Sequence, residues 1–296
     1  MTPASFLTSW RFDALPVSLS AAAAALYVGA VRRVWRTRGP SAFPGSRVSF
    51  FFAGLAAVLI ALESPLHAYS DRLLSVHMAQ HLVLTMVAAP LLILGAPAIL
   101  ALQASSRSVR RSVLLPVVHG SVASVLGSPV IGWSLFAIVM WGFHFPPVYE
   151  TALRSHGIHL LEHVALLAAA LLFWFPVVGL DPGSRRLSHP ARLLYLFLSM
   201  PVTAVLGLSI YSASHVLYPP YVGPARSLGL SALSDQHLAG ALMWEGGMVV
   251  MVVALGAVLF DWLAHEERAA ERADARRDRA AAGSAGSHRT RASHSS

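Results

Sequence analysis

The sequence HMAQHLVLTMVAAPLLILGAP, residues 77–97, is the stretch from which the fold class can be inferred. It lies inside an apolar segment, residues 75–102, that contains no aspartate, glutamate, lysine or arginine. About 20 apolar residues in an α-helix cross the roughly 30 Å hydrocarbon core of a bilayer. The segment therefore predicts a transmembrane helix, and Pro90 and Pro97 predict kinks in it.

Six further segments have the length and hydropathy of transmembrane helices. They lie near residues 15–35, 47–68, 129–147, 157–179, 190–213 and 236–263. Charged residues make up 12% of the chain, about half the share that is usual in soluble domains. The mean hydropathy is +0.60. The sequence therefore predicts an all-α, polytopic membrane protein with seven transmembrane helices.

The distribution of arginine predicts how the helices are oriented. Cytoplasmic loops carry an excess of basic residues. The loops that follow the first, third and fifth predicted helices hold eleven arginines, whereas the loops on the opposite side hold four. We therefore expect the N-terminus outside and the C-terminus in the cytoplasm.

The composition changes near the end of the last apolar segment. Residues 264–296 are rich in charged residues, and from about Gly283 they are rich in Gly, Ser, Arg and His. Such a composition buries too little apolar surface to offset the entropy of ordering the chain. We therefore predict two regions, a transmembrane bundle at 1–263 and a charged, largely disordered cytoplasmic tail at 264–296.

The residue types that are missing exclude several classes of protein. The chain has no cysteine, which excludes disulfides, Fe–S clusters and thiolate metal sites. All 22 basic residues are arginine, so a retinal Schiff base is impossible. The net charge of +8 arises from arginines in loops and the tail, which indicates contact with anionic lipid rather than nucleic acid. Hydrolase, Walker and Rossmann motifs are absent, and we predict that the protein is not an enzyme.

Histidines are concentrated at the predicted outer ends of the helices. His77 and His81 are spaced i, i+4, so they share one face of a helix. His156, His159 and His163 are spaced i, i+3, i+7 and share a face of another helix. Nine of the fourteen histidines lie at this end: His67, His77, His81, His144, His156, His159, His163, His215 and His237. Ionisable groups in membranes usually face partners or water inside the bundle, so a shared outer cavity is expected.

Carboxylates accompany this histidine layer. Glu63 lies one helical turn below His67, and Glu245 lies roughly 12 Å deeper than His237 at about 1.5 Å per residue. A carboxylate at such a depth is expected to be protonated, paired with histidine or hydrated. Glu162 adjoins His163, but a rotation of about 100° per residue predicts that it points away.

Methionines extend the set of possible soft ligands. Met78 adjoins His77, Met140 lies one turn below His144, and Met243 precedes Trp244. Imidazole suits copper, zinc, iron and nickel, whereas thioether sulfur selects Cu(I). Histidine and methionine without cysteine therefore favour copper, and zinc stays possible.

Five segments resemble the multi-pass CtaG-type family of cytochrome c oxidase assembly factors. The HxxxH and HxxEH helices together with the DQxxxG segment carry the resemblance. The segments are HMAQHLVLTMVAAPLLILGAP (77–97), WGFHFPPVYETAL (141–153), HLLEHVALLAAALLFWFPVVG (159–179), SASHVLYPPY (212–221) and DQHLAGALMWEGG (235–247). Two features depart from the family pattern, namely Glu245 at a position expected to be apolar and the long Arg-rich tail.

The resemblance implies a role in maturing a haem–copper oxidase at the copper-insertion step, with oxidase subunits as partners, in the bacterial plasma membrane. The positions that match the family motifs are His77, His81, His159, His163, Asp235, Gln236 and His237.

The resulting hypothesis is a copper chaperone that holds the metal transiently at its outer face. The core ligand set in this hypothesis is His77, His81, His159 and His163. We expect His144, His237, Met78 and Met140 to serve as exchange ligands. We expect Glu63, Asp235, Gln236 and Glu245 to orient ligands or relay protons.

Three other functions are compatible with the same residues. A bis-histidine haem protein would use the imidazoles as axial ligands. A copper or proton transporter would use Glu63 and Glu245 as a deeper relay. A scaffold with purely structural histidines would bind no metal.

Overall fold

The structure is a computed structural model that describes residues 8–179 and 187–293. Every regular element in these ranges is a helix. The α-helices are α1 Ala14–Arg38, α2 Gly45–Glu63, α3 Pro65–Ser70, α4 Leu74–Leu82, α5 Ala89–Leu94, α6 Pro97–Ala104, α7 Arg107–Val109, α8 Leu115–His119, α9 Ser121–Leu126, α10 Pro129–His144, α11 Pro146–Arg154, α12 His156–Val178, α13 His189–Tyr211, α14 Val222–Ser227, α15 Ala232–Ala241 and α16 Gly247–Ser293. Short 3₁₀ helices occur at Pro40–Ala42 and Pro219–Tyr221, and π-helices at Val83–Ala88, Arg110–Leu114 and Leu242–Gly246.

Six helical stretches within the described ranges are long and apolar enough to cross a membrane. They are Ala14–Arg38, Gly45–Ser70, Leu74–Ala104, His156–Val178, His189–Tyr211 and Ala232–Ala275. The pair α10 and α11 makes a seventh if the two helices are counted as one span. The prediction of an all-α polytopic membrane protein is therefore confirmed, and the predicted orientation of the termini stays a prediction.

The fourth predicted span, residues 129–147, is a broken helix in the structure. The helices α10 and α11 meet at an angle of 73°. Phe145 at the junction has an extended backbone with ψ 124°. A residue before proline is pushed out of the helical region, and Pro146 follows Phe145. The bend ends α10 at His144 and leaves this histidine inside the bundle.

Glycines allow two close helix crossings in the unit that extends to Met251. A Cβ atom at Gly240 of α15 would lie 2.5 Å from the backbone nitrogen of Tyr211 in α13. A Cβ atom at Gly132 of α10 would lie 2.5 Å from the carbonyl oxygen of Leu172 in α12. Small residues let membrane helices pack with their backbones close together. These crossings hold α15 on α13 and α10 on α12.

The helix α4 lies among the other histidine-bearing elements. It packs against α3 and α15, and the π-helix that follows it packs against α12. The carboxylate of Asp235 in α15 accepts hydrogen bonds from the Leu74 nitrogen at 2.6 Å and the Ser75 hydroxyl at 2.5 Å. The Ser75 nitrogen also donates to this carboxylate, at 3.4 Å. The two nitrogens are orphan backbone donors of the first helical turn, so Asp235 caps α4 from a distant part of the chain.

The last helix, α16, continues from the apolar segment into the charged segment and extends to Ser293. Alanine, arginine and glutamate are frequent in this segment, and all three are strong helix formers. The chain divides after Met251 into two compact units. The predicted division into bundle and tail stays a prediction.

Candidate metal centre

Four imidazoles from two helices lie together in the structure. The ring centroids of His77 and His81 on α4 are 4.3 Å apart, and those of His159 and His163 on α12 are 4.5 Å apart. Between the two helices, the His77 centroid lies 5.4 Å from that of His159 and 6.3 Å from that of His163. The centroids of His81 and His163 are 5.7 Å apart. The i, i+4 spacing on each helix thus gives two pairs that face each other.

Glu162 lies beside the imidazoles of His77 and His81. Its side chain is fully buried. Its Oε1 atom lies 3.7 Å from Nε2 of His77 and 3.6 Å from Nε2 of His81. The expectation that Glu162 points away is wrong, because α12 presents two of its faces to the bundle. His159 and His163 lie on one face of α12. Glu162 lies on the adjacent face, and its side chain reaches α4.

We name the group of His77, His81, His159, His163 and Glu162 the His–Glu centre. Within the described part of the chain, the Nε2 atoms of its four imidazoles and both oxygens of Glu162 have no hydrogen-bond partner. The Nδ1 atoms of His77 and His81 also have none. Buried polar groups are nearly always hydrogen-bonded, and an unpaired one costs about 1–3 kcal/mol. So many unpaired atoms in one place indicate a ligand that supplies the missing interactions.

Two groups of ligand atoms are close enough to share one metal ion. One atom from each of His77, His159 and His163 lies within 4.8 Å of the others, and the same holds for His77, His81 and Glu162. A metal that binds nitrogen at about 2.0–2.1 Å spans ligands up to about 4.2 Å apart. Small side-chain rotations would therefore close either group around an ion. His77 belongs to both groups.

A cavity of about 160 Å³ leads to this centre from the side of α1. His159 and His163 line its inner part, and Asp13, His67 and His156 line it further out. Nε2 of His67 lies 3.5 Å from a carboxylate oxygen of Asp13. The imidazoles and Asp13 give this otherwise apolar cavity polar groups, and its volume is large enough for water to reach the imidazoles.

Three buried tyrosines cover another side of the centre. The ring of Tyr149 lies 5.1 Å from that of His77 and 4.7 Å from that of Tyr218. Tyr221 donates its hydroxyl to the Ser70 carbonyl at 2.9 Å, so the 2.8 Å contact between Tyr149 and Tyr221 uses the Tyr149 hydroxyl as donor. Burial raises the pKa of Tyr218 and of Tyr221 well above the usual range, so both hydroxyls stay protonated.

His144, Met78 and Met140 lie beside the His–Glu centre. The His144 ring centroid is 5.7 Å from that of His81. Nε2 of His144 lies 3.3 Å from the sulfur of Met78, and its Nδ1 lies 2.6 Å from the carbonyl oxygen of Met140. These three predicted exchange ligands are therefore neighbours in the structure.

Three residues of the DQH sequence have structural partners. Asp235 caps α4 and so acts on the helix that carries His77. Gln236 accepts a hydrogen bond from the Leu217 nitrogen at 2.7 Å and donates to the His215 carbonyl at 3.1 Å. Nε2 of His237 lies 3.1 Å from the carbonyl oxygen of Ala213. These contacts hold the segment that brings Tyr218 and Tyr221 to the centre.

The two carboxylates predicted as a relay lie in different surroundings. Glu63 is buried, and its Oε2 atom accepts a hydrogen bond from the backbone nitrogen of Asp13 at 2.7 Å. Glu245 lies in the π-helix Leu242–Gly246 and is exposed on the surface of the bundle. A relay through both residues therefore has no support in their positions.

Residues 25–265 match the family model described as cytochrome c oxidase caa3 assembly factor. The chain belongs to this assembly-factor family. The matched range contains every residue of the His–Glu centre, the three tyrosines and the cap at Asp235. The resemblance inferred from the histidine motifs is thereby confirmed.

The curated relatives of this chain include three mycobacterial proteins, each described as uncharacterized. A Mycobacterium leprae protein is 30% identical over 92% of this chain and 42% of its own length. Proteins from Mycobacterium bovis and Mycobacterium tuberculosis are 32% identical over 94% of this chain and 43% of their own length. The chain thus spans less than half the length of these relatives. No solved structure matches it significantly. The relatives agree with a multi-pass bacterial membrane protein.

We expect the Asp235→Ala substitution to destabilise this protein by about 1–3 kcal/mol. It removes the cap of α4 and leaves buried donors at Leu74 and Ser75 unpaired. Thermal unfolding in detergent measures the effect. Ser231→Ala is the matched control, because Ser231 caps α15 through an exposed 3.5 Å contact and should matter little. Equal unfolding temperatures for both variants would contradict the capping role.

Proposed function

We propose that this protein is a non-catalytic assembly factor that binds copper at the His–Glu centre and passes it to a cytochrome c oxidase subunit. The transfer takes place at the extracytoplasmic face of the bacterial plasma membrane. The observation that carries this proposal is the group of four imidazoles and one carboxylate without hydrogen-bond partners among the described residues. Membership in the oxidase assembly family links the group to a copper enzyme.

The donor set supports copper as the cargo. Imidazole nitrogen binds copper and zinc well, and at a given nitrogen and oxygen site copper binds more tightly than zinc. The carboxylate of Glu162 would offset the charge of the ion inside an apolar bundle. Zinc is the competing ion, and metal analysis of the purified protein separates the two.

The arrangement also suits release of the metal. The ligand atoms of each group lie within 4.8 Å of one another and His77 belongs to both groups, so an ion has two alternative ligand sets within reach. The cavity lined by His67, His156 and His159 provides a path with further imidazoles along it. A metal can therefore exchange one ligand at a time, which a delivery protein requires.

A small ion fits this centre better than a haem does. A haem needs open space on all sides of its two axial ligands. Around any pair of these imidazoles, that space holds the other imidazoles, Glu162 and Tyr149. The visible spectrum of the purified protein tests this alternative, because a Soret band would favour haem.

The test of the proposal is the metal content of the oxidase in cells that lack this protein. We expect the oxidase subunits to accumulate with haem but with a lowered copper-to-haem ratio. Expression of the wild-type chain should restore the ratio. A deletion strain whose oxidase contains its full copper would contradict the proposal.

A further inference from the structure

A second group of soft ligands surrounds a small cavity next to the His–Glu centre. The cavity has a volume of about 20 Å³. Four of the eight methionines of the chain line it, together with two histidines. These six residues, which we name the methionine pocket, are Met78, Met86, Met140, Met243, His81 and His144.

The hydrogen bonds of His144 leave one ring nitrogen without a proton. Its Nδ1 atom lies 2.6 Å from the Met140 carbonyl oxygen, which only accepts, so Nδ1 carries the proton. In a neutral imidazole the other nitrogen, Nε2, is then an acceptor. Its neighbour at 3.3 Å is the sulfur of Met78, also an acceptor. Two acceptors therefore face each other, and a cation between them would bind both.

His144, Met78 and Met140 are all buried. The Nε2 atom of His144 and the sulfur of Met78 therefore face each other away from the surface of the bundle.

The distance between the two acceptors suits a bound metal. In zinc sites, nitrogen lies at about 2.0 Å and sulfur at about 2.3 Å from the ion. With these distances, two donors 3.3 Å apart subtend an angle of about 100° at the metal, close to tetrahedral. Thioether sulfur selects Cu(I) over zinc and over Cu(II).

Two π-helices bring methionines to the pocket. Val83–Ala88 carries Met86, and Leu242–Gly246 carries Met243. Such segments are rare and occur frequently at functional sites. The first one is held by a hydrogen bond from the Trp174 indole to the Thr85 carbonyl at 2.9 Å. The pocket is thus a fixed part of the bundle.

We infer that the methionine pocket is a Cu(I) site separate from the His–Glu centre. His144 and Met78 provide the first ligands, and the other methionines provide soft donors at the same cavity. His81 contributes to both sites, so Cu(I) can pass between them by ligand exchange without a change in oxidation state. The inference rests on the proposed function only in taking copper as the cargo.

Metal binding to the purified full-length protein tests this inference. The probes are Cu(I) under anaerobic conditions, Ag(I) as its redox-inert substitute, and Zn(II). X-ray absorption should detect sulfur neighbours of Cu(I) in the wild type. In the double variant Met78→Leu/Met140→Leu, Cu(I) and Ag(I) should bind roughly tenfold more weakly or worse, with fewer sulfur neighbours. Zn(II) binding should be unchanged.

The choice of variants keeps the test independent of folding. Leucine replaces methionine with little change in volume, so the bundle should stay intact. Met251→Leu is the matched control, since Met251 is buried outside the cavity and its replacement should change no metal affinity.

Two results would overturn the inference: only nitrogen and oxygen neighbours for Cu(I) in the wild type, or unchanged Cu(I) affinity in the double variant. Failure of the proposed function would be seen in a different experiment, as a deletion strain whose oxidase contains its full copper.

Discussion

The double variant His77→Ala/His163→Ala is expected to lose copper binding at the His–Glu centre and to leave the oxidase short of copper. His77 belongs to both groups of ligand atoms that can share an ion, and His163 belongs to one of them. The double substitution removes one ligand from each helix. Each remaining group then has at most two members, too few to hold an ion against water. Metal analysis of the purified variant and the copper-to-haem ratio of the oxidase measure the two effects.

The control for this variant is His119→Ala. His119 is exposed on α8, with Nδ1 3.0 Å from the Leu115 carbonyl oxygen, and lies outside both metal groups. The His119→Ala variant should bind copper like the wild type. Wild-type copper binding together with normal oxidase in the double variant would remove the His–Glu centre from the proposed mechanism. If the double variant binds copper fully but the oxidase still lacks copper, His77 and His163 would act in contact with the partner rather than with the metal.

Glu162→Gln is expected to weaken copper binding by roughly 10–100-fold while the fold is kept. The amide has the shape of the carboxylate but carries no negative charge, so it no longer offsets the charge of the ion among His77 and His81. In the absence of metal the variant should unfold at the same temperature as the wild type or higher, because a costly buried carboxylate is removed.

Thermal unfolding with and without copper separates the roles of Glu162. A ligand that binds only the folded protein raises its unfolding temperature. We expect copper to stabilise the wild type and to lose most of this effect in Glu162→Gln. The matched control is Glu150→Gln, because Glu150 forms a surface ion pair with Arg154 at 3.1 Å. A variant with lower stability but unchanged copper affinity would make Glu162 a structural residue.

Local sequence patterns predict the helices and the pairs of imidazoles well. The apolar segments give the spans, and i, i+4 spacing places His77 with His81 and His159 with His163. These features depend only on helical periodicity, which operates over a few residues.

Features that depend on neighbouring helices could not be inferred in this way. Helical geometry correctly predicts that Glu162 and His163 lie on different faces of α12. It does not predict that α4 packs against the face that carries Glu162. The contacts of Tyr149 with Tyr221, and of Tyr221 with Ser70, join residues far apart in the chain. One feature of the sequence does indicate a partner for Glu162. Burying a carboxylate in an apolar helix costs free energy, so the glutamate of the HxxEH sequence needs a partner inside the bundle.

Proline chemistry explains why one span differs from its prediction. The composition of residues 129–147 fits one continuous span, but the pair Pro146 and Pro147 forces the preceding residue out of helical geometry. This proline pair is visible in the sequence. The bend that it causes ends α10 at His144 and starts α11, which carries Tyr149 to the imidazoles.

The hydrogen bond from Leu74 to Asp235 spans 161 residues and sets an order of events during biosynthesis. A nascent chain that extends only to the end of α12 contains all four imidazoles of the centre, but the first turn of α4 still has unpaired backbone donors. The helix is secured only after the segment around Asp235 has been translated and inserted.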